Sequence, residues 1–116
     1  MESVQSSGSS PLAGFLVSFS LDTNGVFWPL RMGRTRVGSS AESDIQLAIE
    51  GVSSSHANIN VHDSKGRMKI WLTDQDSING MRLNGDSIFN DKPDLTHGDR
   101  IGIGEVEMPL ILHSGR

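Results

Sequence analysis

Apolar side chains recur along this chain in short alternating runs, and no window of eleven or more residues carries a helical stripe. "GFLVSFS" places Phe15, Val17 and Phe19 on one face of a strand. "DTNG" (residues 22–25) then supplies hairpin-turn chemistry, because Asn-Gly accepts the positive φ angles that tight reversals need. "VFWPLR" alternates through Val26, Trp28 and Leu30, and its Pro29 points to an edge position. Further strands read at "TRVG", "DIQL", "ANINV", "MKIWL" and "MRL". A second Asn-Gly pair (Asn84, Gly85) leads into "DSIF", followed by "RIGIG" and "EVEMPLILH", while "NDKPDLTHGD" has room for a single turn. Segments of this length, recurring about every eight to twelve residues, predict an all-β fold. With roughly ten strands, two packed antiparallel sheets are the natural solution.

Composition narrows the function classes. The 116 residues suffice for one domain, expected over residues 12–116, with residues 1–11 too poor in apolar surface to pack and expected to be disordered. The absence of cysteine excludes a disulfide framework and Cys-ligated zinc or redox centres. A formal charge of −4 argues against a nucleic-acid partner, which calls for clustered Lys and Arg. No run of eighteen apolar residues and no basic-then-apolar leader is present, so no membrane insertion is expected and a cytoplasmic location is, as a module of a larger intracellular protein. No cofactor is expected.

In a sandwich the loops at one end carry recognition. Three are long or polar enough: Gly38 to Asp44, Ala48 to Ser55, and Asp74 to Met81. Ser53 and His56 could be read as a nucleophile and its base, but no G-x-S-x-G elbow surrounds the serine. The alternative is a histidine bracing the loop through backbone hydrogen bonds beside a turn-forming serine, and it is preferred to a hydrolase. The four histidines lack metal-ligand spacing. "DQDSING" fails as a calcium loop because Ile78 and Asn79 occupy the places that need Asp or Asn and then Gly. "GIG" (residues 102–104) lacks a following helix and reads as glycine in a crowded strand.

Gly38-Ser39, Ser53-x-x-His56 and Asn79-Gly80 fall in these three loops, and in that order and spacing the chain resembles a forkhead-associated (FHA) domain. "TRVGSSAESDIQL", "VSSSHANI", "DSINGMRLNG" and "LTHGDRIGIG" read as family segments, and the resemblance covers about residues 14–112. It implies an antiparallel β-sandwich of about ten to eleven strands, FHA/SMAD-like, whose end loops bind phosphothreonine in a partner peptide, without catalysis. Ser53 then matches the serine that donates a hydrogen bond to the phosphate, Asn79 the asparagine that hydrogen-bonds the peptide backbone, and Gly80 the turn after it. His56 matches the histidine that holds the loops together from behind, and Gly38 precedes the first contact position.

Two positions depart from the family pattern. Ser39 stands where the family has an arginine, removing a charge-assisted fork worth about 1.5–3 kcal/mol. Ile78 replaces the threonine before Asn-Gly. The three loops hold Glu42, Asp44, Glu50, Asp74 and Asp76 and no Lys or Arg, a field that opposes a phosphate. Arg36 could compensate only if it folds toward the loop end. Two readings stay open: a weakened or altered phosphothreonine reader, and a phosphate-independent docking domain for a protein partner. In "MKIWLT", Met68, Ile70 and Leu72 form the apolar set, which leaves Trp71 on the other face with Lys69 and Thr73. There Trp71 is either a contact anchor or covered by a neighbouring segment, the second being preferred.

Overall fold

The computed structural model describes residues 11–88 and 91–112. Of residues 1–11, expected to be disordered, 1–10 lie outside these, as do Phe89 of "DSIF", Asn90 of the turn segment and His113 of the last strand segment, whereas the Pro11 carbonyl accepts from the Met32 amide at 3.1 Å. Ten strands form: β1 (Leu12–Ser18), β2 (Val26–Arg31), β3 (Gly33–Gly38), β4 (Ile45–Gln46), β5 (Ala57–Ser64), β6 (Arg67–Asp74), β7 (Met81–Leu83), β8 (Asp86–Ile88), β9 (Arg100–Ile103) and β10 (Val106–Leu112). They divide into a six-stranded sheet in the order β2-β1-β10-β9-β7-β8 and a four-stranded sheet in the order β4-β3-β5-β6. All described pairings are antiparallel except the short β3–β4 contact.

The two sheets face each other across one core. Leu16, Leu30, Ile101, Ile103, Met108 and Leu110 enter it from the larger sheet, and Val37, Ile45, Ile59 and Leu72 from the smaller. The alternation is plainest in β10, where Val106, Met108 and Leu110 are buried between more exposed neighbours. Because both faces of the sandwich ends are tied to this core, the connecting loops inherit fixed anchor points.

The turn chemistry forms as expected. The Gly25 amide donates to the Asp22 carbonyl at 2.8 Å, closing the β1–β2 reversal. Asn84 (φ 53°) and Gly85 (φ 91°) make a two-residue hairpin between β7 and β8. A further tight reversal, at Lys65 and Gly66, extends β5 and β6 beyond the stretches read from the sequence. In the described part of the turn segment, residues 91–99, one turn is present, in which Asp99 accepts from the Thr96 amide at 2.8 Å.

The face assigned to β1 is the outer one. A register shift between Leu12 and Gly14 turns Ala13, Leu16 and Ser18 inward. Phe15 and Val17 lie outside, Phe15 meeting Phe27 edge-on at 5.8 Å, and Phe19 leaves the strand with 62% of its surface exposed. Pro29 does sit in an edge strand, as β2 closes the larger sheet. Trp71 is half-buried: Lys69 Nζ lies 5.4 Å from its ring centre, and residues 93–95 run alongside β6 through bonds from the Leu72 amide to Pro93 and from the Leu95 amide to Ile70. Trp71 is thus flanked rather than offered as a free anchor.

Candidate functional site

The three loops meet at one end of the sandwich, and backbone hydrogen bonds sew them together. The Ser39 amide donates to the Ser53 carbonyl at 3.0 Å and the Ser40 amide to the Ser54 carbonyl at 3.3 Å, joining the first loop to the second. This close approach needs glycine at position 38, since a Cβ there would land on the Ser54 carbonyl oxygen.

His56 is the knot behind them. It is fully buried, where an unsatisfied ring nitrogen would be costly. Nδ1 accepts from the Ser53 amide at 3.0 Å, so Nε2 carries the proton and donates to the Gly80 carbonyl at 2.9 Å. One side chain thereby ties the start of β5 to its own preceding loop and to the third loop. Gly80 takes φ 72°, which a residue with a Cβ adopts only under strain. With both ring nitrogens committed to backbone groups, His56 is no base for the Ser53 hydroxyl, and the nucleophilic reading fails on geometry.

The contact candidates lie in front of this knot. Ser53 Oγ accepts from the Ile78 amide at 3.1 Å, which leaves the hydroxyl proton to donate elsewhere. Asn79 Nδ2 donates to the Gly51 carbonyl at 3.1 Å, which holds the amide plane while its Oδ1 and second N–H remain at the exposed rim. Ile78 is 86% exposed on the same rim. Ser39 is half-buried, and its carbonyl accepts from Gln46 Nε2 at 3.1 Å.

Sequence reasoning missed the supports. Asp74 accepts from the Ser77 amide at 2.8 Å and from its hydroxyl at 3.0 Å, and Ser77 Oγ in turn accepts from the Gly80 amide at 3.1 Å. Asp-x-x-Ser is the signature of this local bracket. Both oxygens of Asp74 thereby serve to brace the loop. Among the described residues no cluster of three metal-ligating side chains occurs. Gly51, the partner of Asn79, was also not anticipated. "GIG" reflects packing: the Arg82 guanidinium lies over Gly102, where a Cβ would collide with it, and donates to the Gly104 carbonyl at 2.8 Å.

The acidic loop field is smaller than the count of carboxylates suggests. Asp44 accepts from the Arg36 amide at 2.8 Å and lies 3.5 Å from its Nε, while Asp74 is bound as described. Glu42, Glu50 and Asp76 remain exposed. Arg36 points out from the face of β3, where its Nε lies 3.5 Å from Asp44.

Comparison with known proteins agrees with this architecture. A solved domain described under phosphothreonine-dependent FHA domain interactions is 26% identical, with a TM-score of 0.72 over 86% of this chain and 97% of that one. Mycobacterium tuberculosis EmbR, solved in complex with a low-affinity phosphopeptide, is 27% identical with a TM-score of 0.74 over 90% of this chain, which spans only 26% of EmbR. The yeast splicing factor Pml1 shares the fold at a TM-score of 0.77 and 22% identity, over 91% of this chain and 83% of that one. No curated protein sequence matches. The FHA domain profile matches residues 35–104, which runs from β3 through all three loops to the end of β9 and takes in the His56 knot. On that match and the shared two-sheet architecture, the chain belongs to the FHA domain family.

Proposed function

We propose that the loop end binds an extended segment of a partner protein containing phosphothreonine, with Ser53 donating to the phosphate and Asn79 holding the peptide backbone. Gly38, His56 and Gly80 position them and touch no ligand. The observation that carries this reading is the division of labour at Ser53 and Asn79. Each spends one polar function on the neighbouring loop, Ser53 on the Ile78 amide and Asn79 on the Gly51 carbonyl, and keeps another turned to the rim. That is pre-organisation, which reduces the ordering cost of binding. The phosphothreonine-dependent and phosphopeptide-bound relatives support the ligand class.

Ser39 supplies no cation to this rim, so phosphate binding is weakened by about ten- to a hundredfold relative to an arginine at that place. Ser39 and the apolar, exposed Ile78 together favour a second reading, docking of an unphosphorylated segment on the same rim. A phosphothreonine peptide library titrated beside its unphosphorylated twin separates the two. The first reading expects a phosphorylated subset to bind with its twins silent. Equal binding of both members would leave the docking reading.

A further inference from the structure

Beside the rim, on the outer face of the smaller sheet, lies a pocket of about 160 Å³ whose chemistry differs from that of the loops above it. Alternation in β3 buries Thr35 and Val37 and turns Arg34 and Arg36 outward into it. Across the strand pair, Asn58 of β5 stands opposite Arg36. Ser43 of the first loop, Ser55 of the second and Gln75 at the end of β6 complete the wall. No described residue pairs with the Arg34 guanidinium, and Arg36 meets Asp44 only through Nε at 3.5 Å, leaving its terminal amino groups available.

We propose that this pocket binds a second phosphoryl group carried by the same partner segment. Two guanidinium groups and a ring of hydroxyl and amide donors suit a group with three acceptor oxygens and roughly −1.5 to −2 charges. A carboxylate offers two oxygens and one charge, too little to use the donors present. The volume accommodates several waters at about 30 Å³ each, enough for a phosphoryl group with part of its hydration. Two carboxylates oppose it: Asp44, held by the Arg36 amide, and Glu42, exposed at the lip. Arg34 and Arg36 offset these two charges, so binding draws mainly on the directed hydrogen bonds of the guanidinium groups and the donors around them.

The pocket and the rim share the first and second loops, since the Ser40 amide bonds the Ser54 carbonyl between them. This inference therefore rests on the loop end being a recognition surface, but it does not depend on Ser53 or Asn79. It makes the partner a multiply phosphorylated segment and moves the cationic contribution that Ser39 cannot make onto β3.

The test is a backbone-amide NMR titration of the full chain at low ionic strength, with inorganic phosphate and with blocked phosphothreonine as separate probes. The amides of Arg36, Ser43 and Ser55 are expected to shift saturably with both. Tighter binding of the blocked residue identifies a residue-borne phosphoryl group, and tighter binding of the free ion would overturn that assignment. Arg34→Gln should weaken this site by about tenfold, and Glu42→Gln should tighten it. Both side chains are exposed, so the unfolding midpoint should hold in each variant, whereas a merely structural arginine would not respond to Glu42→Gln. Shifts confined to Ser39, Ser53 and Ile78 would overturn the proposal while leaving the rim intact. Ser53→Ala tests the rim separately, because it should weaken those shifts and spare the pocket.

Discussion

Replacing His56 by alanine removes a fully buried ring whose two nitrogens serve two different backbone segments. The Ser53 amide loses its acceptor and the Gly80 carbonyl its donor, each at about 1–3 kcal/mol where water cannot replace the partner. The void left by the ring adds to this, so a total near 3 kcal/mol or more is expected, at the upper end for point mutants. For a domain of this size about 1 kcal/mol moves the midpoint by roughly 4–8 °C, which puts the expected drop on the order of 12 °C or more. Thermal and denaturant unfolding followed by circular dichroism measures it. His56→Gln, whose side-chain amide can still donate toward Gly80 while offering Ser53 nothing, should fall between alanine and the parent. A His56→Ala protein that melts within 2–3 °C of the parent, a shift of under about 1 kcal/mol, would refute the brace.

Other consequences follow from the same contacts. Gly38→Ala drives a Cβ into the Ser54 carbonyl, a backbone atom that cannot move aside, and should cost about 1–3 kcal/mol in urea unfolding. Gly102→Ala meets the Arg82 guanidinium, a side-chain end and not backbone, and should cost less in the same assay. Ser53→Ala and Asn79→Ala should each weaken a bound phosphopeptide by about 1 kcal/mol or more without lowering the unfolding midpoint by more than a few degrees. If binding survives in both variants, the ligand lies elsewhere than the rim.

What was legible in the sequence was local or ordered. Asn84-Gly85 and Asp22 to Gly25 declare their turns because positive φ is a property of the residues themselves. Lys65-Gly66 makes the same kind of reversal, but lysine at positive φ carries no such signal. The face of β1 was not legible in the same way. Phe15 and Val17 alternate as well as Leu16 and Ser18 do, and the choice between them is made by packing against the opposite sheet, with a register shift bringing Ala13 inward too. At the site, the order of Gly38, Ser53-x-x-His56 and Asn79-Gly80 pointed to three loops meeting, and they do. The clamp from Asn79 to Gly51 spans 28 residues and leaves no local trace. The direction of Arg36 likewise became clear only once Thr35 and Val37 were seen to be buried.

The central claim is that these loops form a phosphate cradle lacking one cation. Calorimetry on the parent and on the Ser39→Arg, Ile78→Thr double variant, with one phosphothreonine peptide and its unphosphorylated twin, tests it most directly. The account predicts a gain of at least ~1.5 kcal/mol for the phosphorylated peptide, steeper loss of that gain with added salt, and no change for the twin. A folded double variant with no phosphate-dependent gain would contradict it.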